Sequence, residues 1–225
     1  MNILALKAFG GLLFLFLVMA ALLFISAWTL DYWQAWAFLA VFFSSALAIT
    51  AYLMKKDREL LRRRVHAGPT AEKETSQKII QSITSLGFIA MLVIPAFDRR
   101  LAWSRVPLYI EVTGDVLVAI GFFIVFLVYR ENTFASATIE LAPGQKVIST
   151  GLYALVRHPM YMGALFLFIG IPLSLGSWWG LFVFFLIMPA LIWRIFNEEK
   201  FLTRNLPGYL EYQKKVRCRL IPLVW

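Results

Sequence analysis

Long uncharged stretches are the feature that most restricts how this chain can fold. The first two contain no charged side chain, and each is long enough to cross the apolar interior of a bilayer as a helix. The last has room for two short helices, because Pro172 and the turn at 176–180 divide it. The predicted spans lie at 8–30, 32–54, 79–97 and 106–129, with two more within 159–193. The sequence therefore predicts an all-α fold, a polytopic membrane helical bundle of about six transmembrane helices.

The composition fits a membrane protein and not a soluble domain. Hydrophobic residues make up 60% of the chain, more than a soluble domain of 225 residues can bury. The formal net charge is +9, but the basic residues lie beside the hydrophobic stretches, where anionic lipid head groups attract them. We therefore expect membrane lipids as partners, and no nucleic acid.

Lysine and arginine residues predict the orientation, because they collect on the cytoplasmic side of a membrane. If both termini are cytoplasmic, all of the 22 lysines and arginines except Arg99, Arg100 and Arg105 face the cytoplasm. The opposite orientation would reverse this distribution. The sequence therefore predicts a cytoplasmic N-terminus and C-terminus, and the compactness of the chain suggests a prokaryotic inner membrane.

Two regions follow from this arrangement. Residues 1–129 form the N-terminal transmembrane helices, with a basic cytoplasmic loop at 55–78. Residues 130–225 form the candidate cofactor-binding and catalytic region, with a transmembrane hairpin at 159–196 and a cytoplasmic tail. The basic, aromatic tail can fold over a ligand as a lid, or lie on the membrane surface as an amphipathic segment.

Polar residues gather at the start of the hairpin. Pro159 suits the first turn of a helix, so His158 lies just before that helix. The N–H groups of the first turn are unpaired, and together with Arg157 they favour a carboxylate or a phosphate. Tyr161 lies on the same turn, where its hydroxyl or ring can face a ligand. Upstream, turn residues bracket a short segment at 145–148 that can pass under that ligand.

A second polar group lies at the far end of the hairpin. Arg194 and Glu198 are four residues apart and share a helix face, whereas Glu199 points about 100° away. Two adjacent carboxylates can hold a cation, a ribose or an amine, and the alternative is an interfacial pair of Arg194 with Glu198. The hairpin brings both ends to the same membrane face. The zwitterionic amino-acid end of S-adenosylmethionine would match an anion site opposite a carboxylate pair.

Four motifs resemble those of a known family. The chain reads G-x-Y-x-x-x-R-H-P-x-Y-x-G at 151–163, E-E-x-x-L at 198–202, P-G-Y-x-x-Y at 207–212 and R-L-I-P at 219–222. This pattern resembles the isoprenylcysteine carboxyl methyltransferases, whose superfamily includes membrane phospholipid methyltransferases and bacterial thiol methyltransferases. The resemblance implies S-adenosylmethionine as the cofactor. With Arg157 included, the residues expected to bind it are Gln145, Lys146, Val147, Ile148, Tyr153, Arg157, His158, Pro159, Met160, Tyr161 and Glu198.

The resemblance also implies the catalytic residues. Arg194 would meet the substrate and Glu199 would complete the acidic pair, while Asn132 and Ser136 would lie on the approach to the site. Met160 departs from the prenylcysteine enzymes, which typically carry a small residue there, and six helices are fewer than many eukaryotic members have.

The hypothesis is an integral membrane methyltransferase that uses S-adenosylmethionine and acts on a lipid-like or small apolar acceptor. Arg194 favours a carboxylate acceptor over an amine or a thiol. The alternatives are a sterol-reductase-like membrane enzyme that uses NADPH, and a non-catalytic membrane sensor or assembly protein. No metal is expected, because Cys218, His66 and His158 have no metal-ligand spacing.

Overall fold

A computed structural model describes residues 3–65, 68–72 and 74–225, and every regular element in these ranges is helical. The helices are α1 (Ile3–Ala27), α2 (Trp33–Lys56), α3 (Arg58–Val65), α4 (Thr75–Leu101), α5 (Leu108–Glu131), α6 (Pro159–Ser174), α7 (Gly180–Asn205) and α8 (Tyr209–Lys215). The predicted all-α fold is confirmed. His66 and Lys73 of the predicted basic loop lie outside the described residues, and the predicted boundary between the two regions falls within the last turn of α5.

Five of the helices, α1, α2, α4, α5 and α7, are long and apolar enough to cross a membrane. The remaining predicted span, the first of the two within 159–193, is α6, which is apolar but has only 16 residues. At 1.5 Å per residue it is about 24 Å long, shorter than the hydrocarbon core of about 30 Å. Large apolar side chains such as Phe14 and Leu186 are exposed on the lateral surface, as expected for contact with lipid tails.

The connections between helices are short at one end of the bundle and long at the other. At one end, short turns are closed by buried hydrogen bonds. The Tyr32 hydroxyl donates to the Leu175 carbonyl oxygen at 2.6 Å, and the Ser177 hydroxyl donates to the Asp98 carboxylate at 2.5 Å. At the opposite end, where α5 and α7 finish and α6 begins, the long segments 132–158 and 206–225 leave room for a site. We call this opposite end the cavity end.

Glycines bring α5 and α6 into backbone contact. A Cβ atom added at Gly114 would lie 2.2 Å from the Ser174 nitrogen, and one at Gly121 would lie 2.8 Å from the Gly163 carbonyl oxygen. Small residues allow this close approach of membrane helices. Because the two helices are locked side by side, the first turn of α6 is held against the end of α5. As predicted, α6 begins at Pro159, and His158 just before it has a non-helical conformation with φ −123° and ψ 62°.

Candidate active site

One of the cavities at the cavity end collects the residues predicted to bind a cofactor. Its walls come from the segment 132–158, the start of α6, the end of α7 and the start of α8. All eleven predicted cofactor residues line it: Gln145, Lys146, Val147, Ile148, Tyr153, Arg157, His158, Pro159, Met160, Tyr161 and Glu198. The residues proposed for the approach, Asn132 and Ser136, line it too. The predicted catalytic residues Arg194 and Glu199 are not among its lining residues.

Tyr161 joins the two ends of the hairpin. Its hydroxyl donates to Glu198 Oε2 at 2.7 Å and accepts a hydrogen bond from Arg194 Nε at 3.0 Å. Arg194 and Glu198 therefore share a helix face, as their spacing predicts, and the phenol bridges them. The bridge fixes the Glu198 carboxylate at the cavity wall, where its side chain keeps 28% of its surface exposed.

The Arg194 guanidinium is engaged by groups of the protein itself. Its Nη2 lies 2.8 Å from Glu72 Oε1 and 3.0 Å from the Ala137 carbonyl oxygen, and its Nη1 donates to Gln77 Oε1 at 3.2 Å. Glu72 and Gln77 are both buried. The side chain expected to meet the substrate therefore ties α7 to the chain around the start of α4. Glu72 and Gln77 were not predicted, because nothing in the local sequence links them to a residue more than 100 positions away.

The Arg194–Glu72 pair should show strong energetic coupling. Either substitution, Arg194→Met or Glu72→Gln, leaves the other ion buried without its partner, whereas the double variant removes both charges. We expect a coupling of about 2 kcal/mol in a double-mutant cycle of unfolding in mixed micelles.

The exposed pair Arg62–Glu59, at 3.0 Å on α3, is the matched control and should couple by less than about 0.5 kcal/mol. Equal coupling in the two cycles would mean that the buried pair does not hold α7 to Glu72.

Glu199 lies at the centre of a group of three basic side chains, those of Arg157, His158 and Arg219. Its carboxylate accepts hydrogen bonds from Arg157 Nε at 2.7 Å and Arg219 Nε at 3.0 Å, and it lies 3.3 Å from His158 Nε2. The anion expected near the start of α6 is therefore a carboxylate of the chain itself. Arg157 lines the cavity and also donates to Glu199, and Glu199 is occupied in holding Arg157 and His158 in place. Arg219 belongs to the R-L-I-P motif at 219–222, but nothing in the spacing of the motifs indicated that it pairs with Glu199.

The C-terminal tail closes one side of the cavity. The backbone N–H groups of Arg157 and His158 donate to the carbonyl oxygens of Cys218 and Arg219, at 2.9 and 2.8 Å. The tail thus pairs the two backbone N–H groups that immediately precede α6. Tyr212 of α8 adds a hydrogen bond from its hydroxyl to the Tyr153 carbonyl oxygen at 2.8 Å.

The phenol of Tyr153 is held from the side of α5. Asn132 Nδ2 donates to its hydroxyl at 2.8 Å. Burial raises the pKa of Tyr153, and this outweighs the lowering by the hydrogen bond from Asn132. The phenol therefore stays neutral in the physiological pH range and presents a polar but uncharged wall to the cavity.

The fold and the cavity define an integral membrane protein with a polar site at one end of its helices. Residues 110–207, from the start of α5 to just beyond α7, match the family model described as phospholipid methyltransferase. This part of the chain is therefore similar to that family of membrane methyltransferases, which confirms the resemblance drawn from the motifs. The match includes all eleven predicted cofactor residues but stops before α8 and the tail. No curated protein sequence matches the chain significantly.

Proposed function

We propose that the protein is an integral membrane methyltransferase that binds S-adenosylmethionine in the cavity and transfers its methyl group to a lipid-like or small apolar acceptor. One observation carries this proposal. The eleven residues expected from the motifs come from three separate stretches of sequence, and they line one cavity within the region that matches the methyltransferase family.

The chemistry of the lining fits the proposed cofactor. When bound, the cofactor supplies an electrophilic methyl group on a positively charged sulfur. The carboxylate of Glu198 suits the sulfonium or the ammonium group, and the ammonium of Lys146 suits the carboxylate at the amino-acid end. Val147 and Leu202 give the cavity an apolar wall for the adenine ring. One lining hydroxyl, that of Tyr209, is buried and has no hydrogen-bond partner among the described residues.

The protein groups that line the cavity would hold the reacting molecules in position and exclude water from them. None of these groups needs to exchange a proton with the cofactor. Displacement at a methyl group is accelerated chiefly by alignment of the reacting atoms and exclusion of water. Tyr161 fixes Glu198, and Glu199 fixes His158, so these two lining side chains each have a partner that holds them. We assign Glu199 and Arg194 to this positioning role.

The acceptor is proposed from the surroundings of the cavity. The site lies at the end of apolar spans, and Phe134, Ala135 and Met160 contribute an apolar side to it. An acceptor with an apolar body can reach this side from the bilayer. Arg194 favoured a carboxylate acceptor on sequence grounds, but its guanidinium is paired with Glu72. We therefore propose testing acceptors with carboxylate, amine and thiol head groups side by side. From the distribution of basic residues we propose that the cavity faces the cytoplasm, and from the compactness of the chain that the membrane is a prokaryotic inner membrane.

Binding of S-adenosylhomocysteine to the detergent-solubilised protein tests the proposal. Calorimetric titration should show micromolar binding, and Glu198→Gln should weaken it at least about 10-fold, because a hydrogen bond to a charged group is lost. Glu211→Gln removes the same charge from an exposed position on α8 and should bind as the wild type does.

A folded wild-type protein that binds no S-adenosylhomocysteine would refute the proposal, and NADPH would be the next ligand to titrate. Transfer of a labelled methyl group to a lipid extract distinguishes an enzyme from a sensor. Cofactor binding without transfer to any acceptor would support the sensor.

A further inference from the structure

Tyr209 lines the cavity, and its hydroxyl is the one buried tyrosine hydroxyl of the described residues that lacks a hydrogen-bond partner. The residue is only 5% exposed, and its hydroxyl makes no hydrogen bond within the described part of the chain. Its neighbours differ. Tyr212, one turn later, donates to the Tyr153 carbonyl oxygen, and Tyr161 donates to Glu198. Buried polar groups in folded proteins are almost always paired, so an unpaired hydroxyl in a cavity wall calls for a partner.

The ring of Tyr209 is fixed, so its hydroxyl has a defined place. The ring packs in a cluster with Leu206, Val216 and Val147, and α8 begins directly after Gly208, whose φ of 83° is readily adopted only by glycine. Burial raises the pKa of Tyr209, and the nearby carboxylates of Glu198 and Glu199 raise it further. The hydroxyl therefore keeps its proton and remains a donor.

The position of this donor indicates which part of a ligand it meets. Glu198 lines the same cavity as Tyr209, and its carboxylate would attract an ammonium group. In an α-amino acid the ammonium and the carboxylate are attached to the same carbon atom. A ligand that places its ammonium at Glu198 therefore brings its carboxylate within a few ångströms of that point, where a hydroxyl donor can serve it.

We propose that the Tyr209 hydroxyl binds the cofactor by donating a hydrogen bond to the carboxylate of its amino-acid end. This inference rests on the proposed function and adds a binding residue beyond the region that matches the family. It also gives the tail a function, since α8 would close on the cofactor through this hydrogen bond.

The test is Tyr209→Phe, which removes one oxygen atom and keeps the ring. Calorimetric titration should show S-adenosylhomocysteine binding weakened about 10-fold or more. Binding of 5′-methylthioadenosine, which lacks the amino-acid end, should change less than about twofold. The ligand-free variant should melt at the wild-type temperature or slightly above it, because no hydrogen bond of the empty protein is lost.

Tyr212→Phe is the matched control, since it removes a hydroxyl that is bonded to Tyr153 and should lower the melting temperature of the ligand-free protein. Unchanged S-adenosylhomocysteine binding by Tyr209→Phe would overturn the inference while leaving the proposed function intact. An equal loss for 5′-methylthioadenosine would also overturn it, because the hydroxyl would then face the nucleoside. Absence of binding by the wild type would remove the proposed function and this inference together.

Discussion

Glu199→Gln is expected to destabilise the protein by about 3 to 5 kcal/mol, because it leaves the buried guanidinium of Arg157 without its counter-charge. Arg157 and His158 are almost completely buried beside this carboxylate, and Arg219 is held against it by the rings of Phe196 and Trp225. Glutamine keeps the shape of the side chain but not its charge. Equilibrium unfolding in mixed detergent and SDS micelles measures the loss.

The neighbouring carboxylate provides the control. Glu198→Gln makes the same chemical change one residue away, at a side chain that keeps 28% of its surface exposed and pairs with a phenol. We expect it to lower stability by about 1 kcal/mol and to act chiefly on cofactor affinity. The two substitutions should thus separate the carboxylate that holds the site together from the one that faces the ligand. If Glu199→Gln were as stable as Glu198→Gln, the network around Glu199 would not support the fold.

The sequence predicted the cavity lining well because that lining is built from local structure. Pro159 determines where α6 begins, and the positions of His158 and Tyr161 follow from that start. The uncharged hairpin brings the end of α7 back to the same membrane face, so Glu198 meets Tyr161. Each step depends on residues close in sequence or on the length of a span, and both can be read without a structure.

The partners of the predicted catalytic residues could not be read in this way. Glu72 reaches Arg194 only because α4 packs along α7, and Arg219 reaches Glu199 only because the tail folds back over the start of α6. Such contacts depend on how distant segments dock. Arg194 and Glu199 look like free functional groups in the sequence because each partner that occupies them lies in another segment.

Gly114→Ala is expected to cost about 3 kcal/mol or more, since the added methyl group meets backbone that cannot move aside. Its Cβ would lie 2.2 Å from the Ser174 nitrogen and 2.7 Å from the Leu173 carbonyl carbon. Helices α5 and α6 must separate to admit it, and α6 carries Tyr161 and His158 at its other end. We therefore expect weaker S-adenosylhomocysteine binding as well as lower stability, although Gly114 lies far from the cavity.

Alanine substitutions at two other glycines should have smaller effects on stability, because the added Cβ atom meets less resistance there. A Cβ atom at Gly10 of α1 meets nothing within 4 Å, and one at Gly87 of α4 meets only the Ile187 side chain, at 2.4 Å. Gly10→Ala should be neutral or slightly stabilising, because alanine favours a helix. Gly87→Ala should fall between the two, because Ile187 can change its rotamer. Unfolding in mixed micelles should find Gly10→Ala the most stable of the three variants, Gly87→Ala intermediate and Gly114→Ala the least stable. A Gly114→Ala protein as stable as Gly10→Ala would show that α5 and α6 do not pack backbone to backbone, and the position of α6 at the cavity would then need another cause.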